Sequence, residues 1–143
     1  LGNLQMVQAM IADSYVEIAM ARLYVLQSAA IMDRHGAHSK AARKAIAASK
    51  FAIPNVLLTV LDRAIQLHGS LGYSSDMPLE AMYRSARALR VADGADDIHR
   101  QSVARLELED ITAVEGWPSE HIPTAIARAR QQFANALAEE GLL

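Results

Sequence analysis

The chain has no cysteine, only four prolines and seven glycines in 143 residues, and just 5% aromatic side chains. Without cysteine there is no disulfide framework, no thiolate metal site and no cysteine nucleophile, a usage that suits a reducing compartment. Scarce proline and glycine exclude collagen-like and low-complexity classes. Neither sign of charge dominates: 14 Lys and Arg against 16 Asp and Glu leave a net charge of −2. The charges are mixed along the chain, so no basic stripe marks a nucleic-acid partner. No uninterrupted apolar run reaches the roughly 18 residues of a membrane span, and no signal-peptide pattern opens the chain. The expectation is no nucleic acid, no membrane span and no secretion. The chain opens on Leu1 rather than methionine, which points to a piece of a longer protein.

What is present favours helix. Ala, Leu, Arg, Gln and Met are abundant, 52% of residues are AVILMFWYC, and the length suits one domain with a core. The segment Leu4 to Arg34 carries Leu4, Val7, Ile11, Tyr15, Ile18, Val25, Ala29 and Met32 at steps of three and four. Arg22 is the exception in that row, and the spacing predicts a helix of roughly 45 Å. Gly36 supplies its stop. Ser39 is a good N-cap for a second long helix to about His68, with a buried stripe of Ala42, Ile46, Ser49, Ile53, Val56, Val60, Ala64 and Leu67. Pro54 should kink that helix without ending it. Residues 69–78 read as a loop, and Pro78 suits the first turn of a third helix running to about Arg90. After Asp93-Gly94 a fourth begins near Ala95 or Asp96, with Asp96 and Asp97 against its N-terminal dipole, and reaches about Asp110. Beyond Ser119, residues Ile122, Ile126, Phe133 and Leu137 predict a terminal amphipathic helix. Trp117 is expected to anchor that tail, and Met6, Met10, Met20 and Met32 to fill the core.

The string from Asp62 to Tyr73, DRAIQLHGSLGY, resembles the acyl-CoA dehydrogenase signature D-R-A-x-Q-x-x-G-G-x-G-[YF]. Pro78-Leu79-Glu80 and Tyr83-Arg84-Ser85-Ala86-Arg87 follow, similar to that family's P-x-E and Y-R-D-A-R. The stretch from Leu89 to Arg100, LRVADGADDIHR, is similar to L-x-I-x-E-G-T-x-x-I-Q-R, and Gln5 through Ala12-Asp13 to the F-Q…L-A-D-M opening of the family's C-terminal domain. Ser70 replaces the usual second glycine, Asp93 the usual glutamate and Ala95 the usual threonine. An Ala-Asp-Gly reading resembles one branch of the family. Residues past Glu115 carry no such likeness.

The resemblance implies an all-α fold, a four-helix up-and-down bundle over residues 1–115 with an extra C-terminal helix in 116–143. It implies a larger enzyme as well, with an N-terminal helical and a middle β-domain, assembled as a homodimer or tetramer. FAD would lie between domains and across a subunit boundary. The implied reaction is α,β-dehydrogenation of an acyl-CoA thioester: a carboxylate takes the α-proton, hydride passes to flavin N5, and an electron-transfer flavoprotein or similar acceptor reoxidises the flavin. The implied setting is cytoplasm in a bacterium or mitochondrial matrix in a eukaryote. Alone, the chain is expected to be inactive.

By the same resemblance Asp93 is the candidate base, with Gly94 beside the substrate. Gln66, His68, Gly69 and Ser70 would approach the pyrophosphate of a neighbouring subunit's FAD, and Ala95, Asp96 and Asp97 the flavin's adenosine part. Asp93 has a second reading as a cap for the helix beginning at Ala95. Glu17, the only glutamate of the first helix, is the alternative base. Gly69 reads also as a helix C-cap, and Ser70 is strained if its position needs positive φ. Arg84, Arg87 and Arg90, three apart, read as a solvated face or ion-pair network. The five histidines show no ligand spacing, so no metal is expected. The alternative for the whole chain is a non-catalytic helical assembly module.

Overall fold

A computed structural model of the chain describes residues 1–115; the expected terminal helix, Trp117 and the 116–143 extension lie outside the described residues. The described residues are helical, in the order α1 (Gln5–His35), α2 (Lys40–His68), α3 (Ser70–Tyr73), α4 (Leu79–Ala88) and α5 (Asp96–Glu115). The chain divides into two compact units, Leu1–Val103 and Ala104–Leu143, and the features below lie in the first.

The helix boundaries follow local chemistry. The Ser39 side chain accepts from the Ala42 N–H at 3.1 Å and starts α2. Gly36, at φ 81°, ends α1 with its N–H bonded to the Met32 carbonyl. Pro54 lies inside α2, buried, and the helix runs through it to His68. The expected 69–78 loop differs: Ser70–Tyr73 forms one helical turn. Gly72 permits it, since a Cβ there would lie 2.7 Å from the Ile65 carbonyl oxygen and 2.9 Å from the His68 Cβ. α4 stops two residues early, because Leu89 and Arg90 bond the carbonyls three residues back, Ala86 and Arg87, in a tightened last turn.

α2 is the hub, packed against α1, α3 and α4. This corrects the single stripe expected on it. Ala42 is buried as expected and Ile53, Val56 and Val60 are half-buried, but Ile46 is 40% exposed. The deeply buried residues Ala45, Ala47, Pro54, Leu58 and Leu61 include others, because a central helix needs apolar surface on more than one side. Leu58 and Leu61 meet Ala86 of α4 in a core flanked by Leu79 and Tyr83. On α1 only Val7 of the expected stripe is buried, while Ile11, Tyr15 and Ile18 are more than half exposed. Its principal packing partner is α2 alone, and one neighbour covers only a narrow strip. α2 also contains a window of mean hydropathy 1.4, long and apolar enough to cross a membrane by length and composition. That composition equally serves a helix packed on several sides.

Candidate functional site

Two corners of the unit collect the residues singled out in the sequence. The first is the turn between α4 and α5. Asp93 sits there at φ 53°, the only non-glycine with positive φ among the described residues, followed by Gly94 at φ 101°. Asp and Asn tolerate the left-handed region better than most side chains. The turn is closed at its base by two bonds between the same residues: the Asp96 N–H donates to the Arg90 carbonyl at 3.2 Å, and Arg90 Nε donates to Asp96 Oδ2 at 2.7 Å. His99 Nε2 lies 3.2 Å from the Asp93 carbonyl oxygen and 3.1 Å from where a Gly94 Cβ would be.

Asp96 is buried, and Asn55 of α2 also donates to its Oδ2, at 3.2 Å. Burial pushes its carboxyl up, but hydrogen bonds from Arg90 and Asn55 and the charges of Arg90 and Arg100 outweigh that, holding it below its ordinary value. Arg100, 3.7 Å from Asp96, also stands 5.0 Å over the Phe51 ring. The Asp96 carboxylate is thus engaged within the chain, and the Arg84, Arg87, Arg90 row is not one solvated face: Arg90 turns inward while Arg84 pairs with Glu80. Asp97 is exposed and pairs with Arg100 at 3.3 Å. Ala95 accepts from the Ile98 and His99 N–H groups through its carbonyl, the first turn of α5.

The Asp93 carboxylate itself is 90% exposed, with Lys50 Nζ 3.5 Å from its Oδ2. Sequence reasoning passed over Lys50, although it is the single charged residue between Ala45 and Leu61. Asn55 was missed too, and carries no comparable signal.

The second corner is the end of α2. Gly69, at φ 59° and ψ −140°, holds a conformation that favours glycine, and its N–H bonds the Gln66 carbonyl at 3.2 Å. Gln66, His68, Gly69 and Ser70 are all exposed, and nothing lies within 4 Å of where a Gly69 Cβ would project. Ser70 does not have positive φ, so serine in place of glycine is unstrained there. His68 Nδ1 is 2.8 Å from the Ala64 carbonyl oxygen. Lys50 and His68 are separated by about 27 Å of helix at 1.5 Å per residue, so the two corners stand far apart.

Glu17 is engaged by Arg63. Both its oxygens accept from Arg63, at 2.6 and 2.8 Å, and those bonds hold its carboxyl below its ordinary value against the opposing effect of burial. Among the described residues no three His, Cys, Asp or Glu side chains gather as a metal site.

The family model "Acyl-CoA dehydrogenase, C-terminal domain" matches residues 1–108. The chain belongs to the acyl-CoA dehydrogenase family. It is 46% identical over 100 residues to acyl-CoA dehydrogenase family member 11 of Rattus norvegicus, covering 70% of this chain and 13% of that protein. Family member 10 of Mus musculus is 48% identical over 100 residues, again 70% of this chain but 9% of the relative. A solved structure from Mycobacterium abscessus, assigned to the acyl-CoA dehydrogenases, superposes with a TM-score of 0.73 at 44% identity, over 77% of this chain and 26% of its own. The chain therefore spans about a quarter or less of the relatives it matches, and both corners fall inside the acyl-CoA dehydrogenase C-terminal domain match.

Proposed function

We propose that this chain is the base-bearing and FAD-contacting part of a flavin-dependent acyl-CoA dehydrogenase, which acts on an acyl-CoA thioester and passes electrons to a flavoprotein acceptor. The observation that carries the reading is the α4–α5 turn: a carboxylate presented at its apex on a backbone fixed from both sides, in a chain of this family. A base needs geometry first, and the closed turn that carries Asp93 supports it in that role. Its carboxylate takes the α-proton of the thioester. Gly94, at φ 101° and with the His99 ring where a side chain would project, serves the turn that carries Asp93 beside the substrate.

The exposed corner at the other end of α2 fits a phosphate-bearing cofactor: Gly69 offers backbone with open space in front of it, and Ser70 adds a hydroxyl. Gln66, His68, Gly69 and Ser70 would hold one FAD there, and Ala95 and Asp97 another beside Asp93. Asp96 contributes by fixing the turn through Arg90 and Asn55. When bound, FAD supplies the two-electron acceptor for the β-hydride. The separation of the corners supports an oligomer in which each subunit completes its neighbour's flavin site. The same logic makes the 143-residue chain, taken alone, inactive and a weak FAD binder.

A second reading, a non-catalytic assembly module, is favoured by two departures from the family pattern: Asp93 stands where glutamate is usual, and Ala95 lacks the hydroxyl of the usual threonine. Flavin content of the full-length protein separates the two. Bound FAD that is bleached by an acyl-CoA thioester supports the dehydrogenase, whereas a protein without flavin is the assembly module.

A further inference from the structure

We propose that Lys50 is the positioning residue for Asp93, setting the direction of the carboxylate that serves as base; this rests on the reading of Asp93 given above. Lys50 is only 26% exposed, on a helix whose neighbouring positions Ile46, Ile53 and Pro54 are apolar. An ammonium group placed against apolar surface needs a partner. The partner is brought by the turn after α4, with Nζ 3.5 Å from Asp93 Oδ2.

The rest of the turn fixes main chain, not the carboxylate. The Arg90–Asp96 closure holds its two ends, and His99 Nε2 meets the Asp93 carbonyl oxygen rather than the side chain. Around Asp93 the charged and titratable groups are therefore Lys50 from α2, His99 from α5, and the mutually engaged Arg90, Asp96 and Arg100. Among the described residues, Lys50 is the charged group that meets the carboxylate. With 90% of its side chain exposed, Asp93 meets no packed wall of this chain that would select its rotamer. Aspartate is also one methylene shorter than glutamate, so direction matters more for reaching an α-proton. The pair is open to solvent on its Asp93 side and so contributes little to folding, which leaves its effect on the direction of the carboxylate as the role with consequences.

The test uses the full-length protein with Lys50→Met, Lys50→Arg and Asp93→Asn. Lys50→Met is expected to keep its flavin and melting temperature. Its kcat should fall by about tenfold to 100-fold with KM nearly unchanged, the scale set by a misplaced reacting group. The isotope effect with α-deuterated thioester should rise, because proton removal becomes slower, and Lys50→Arg should recover most of the rate. An unchanged kcat and isotope effect in Lys50→Met, or a Lys50→Arg as slow as Lys50→Met, overturns the assignment. If Lys50→Met loses its flavin, Lys50→Gln takes its place, and wild-type turnover in that variant is equally fatal. Asp93→Asn tells the two claims apart. Full turnover there removes Asp93 as base, while an inactive Asp93→Asn beside an unaffected Lys50→Met removes Lys50 alone.

Discussion

Arg90 and Asp96 hold each other twice, once through side chains at 2.7 Å and once through backbone at 3.2 Å, and so close the turn that presents Asp93. Removing one partner leaves the other polar group half-buried and unmatched. Asp96→Ala is expected to cost about 2 kcal/mol of stability, measured by denaturant unfolding. An Asp96→Ala variant as stable as wild type would show that the closure is ornamental.

The Asp96 carboxyl, depressed in the fold, also sets an acid limit. A depressed carboxyl contributes stability that is present above its unfolded value, near 3.8, and is lost as pH falls through its folded value. Melting temperature measured between pH 7 and pH 3 should therefore fall more steeply below about pH 4 in wild type than in Asp96→Asn. Parallel curves would contradict the assignment.

Gly69 and Ser70 are predicted to respond differently. Gly69→Ala forces a Cβ into φ 59° and ψ −140° and should cost about 1–3 kcal/mol, whereas Ser70→Gly relieves no strain and should not stabilise. Thermal melts of the two variants decide it, and a neutral Gly69→Ala would show that the α2–α3 corner is looser than described.

Glu17 and Arg63 join α1 to α2 by a bidentate pair. Glu17→Gln is expected to lower the melting temperature slightly and to leave turnover of the full-length protein unchanged. The effect on stability should be non-additive with Arg63→Met in a double-mutant cycle. Lost turnover in Glu17→Gln at normal flavin content would transfer the base from Asp93 to α1.

The helices were legible because their punctuation is local: Ser39, Gly36, Pro78 and the Asp93-Gly94 break all act on their own backbone. The signature residues were legible for a different reason, as a string in fixed order. What escaped depends on neighbours distant in sequence. Asn55 and Asp96 are 41 positions apart, and nothing in either residue announces the other. The exposed stripe of α1 escaped because periodicity records that a face is apolar, not whether something covers it. That face carries Ile11, Tyr15 and Ile18, and the isolated chain is expected to self-associate through it, by sedimentation over a range of concentrations. A strictly monomeric chain at high concentration would contradict this.

The most direct test of the central claim is a single-turnover experiment on the full-length protein, following the flavin absorbance after mixing with acyl-CoA thioesters. Wild type is predicted to bleach with at least one thioester, and Asp93→Asn, with equal bound FAD, to bleach at least about 100-fold more slowly, the lower end of what a general base contributes. Equal bleaching rates in the two proteins, or no bleaching of wild type by any thioester, would contradict the account and leave Asp93 as the cap of α5.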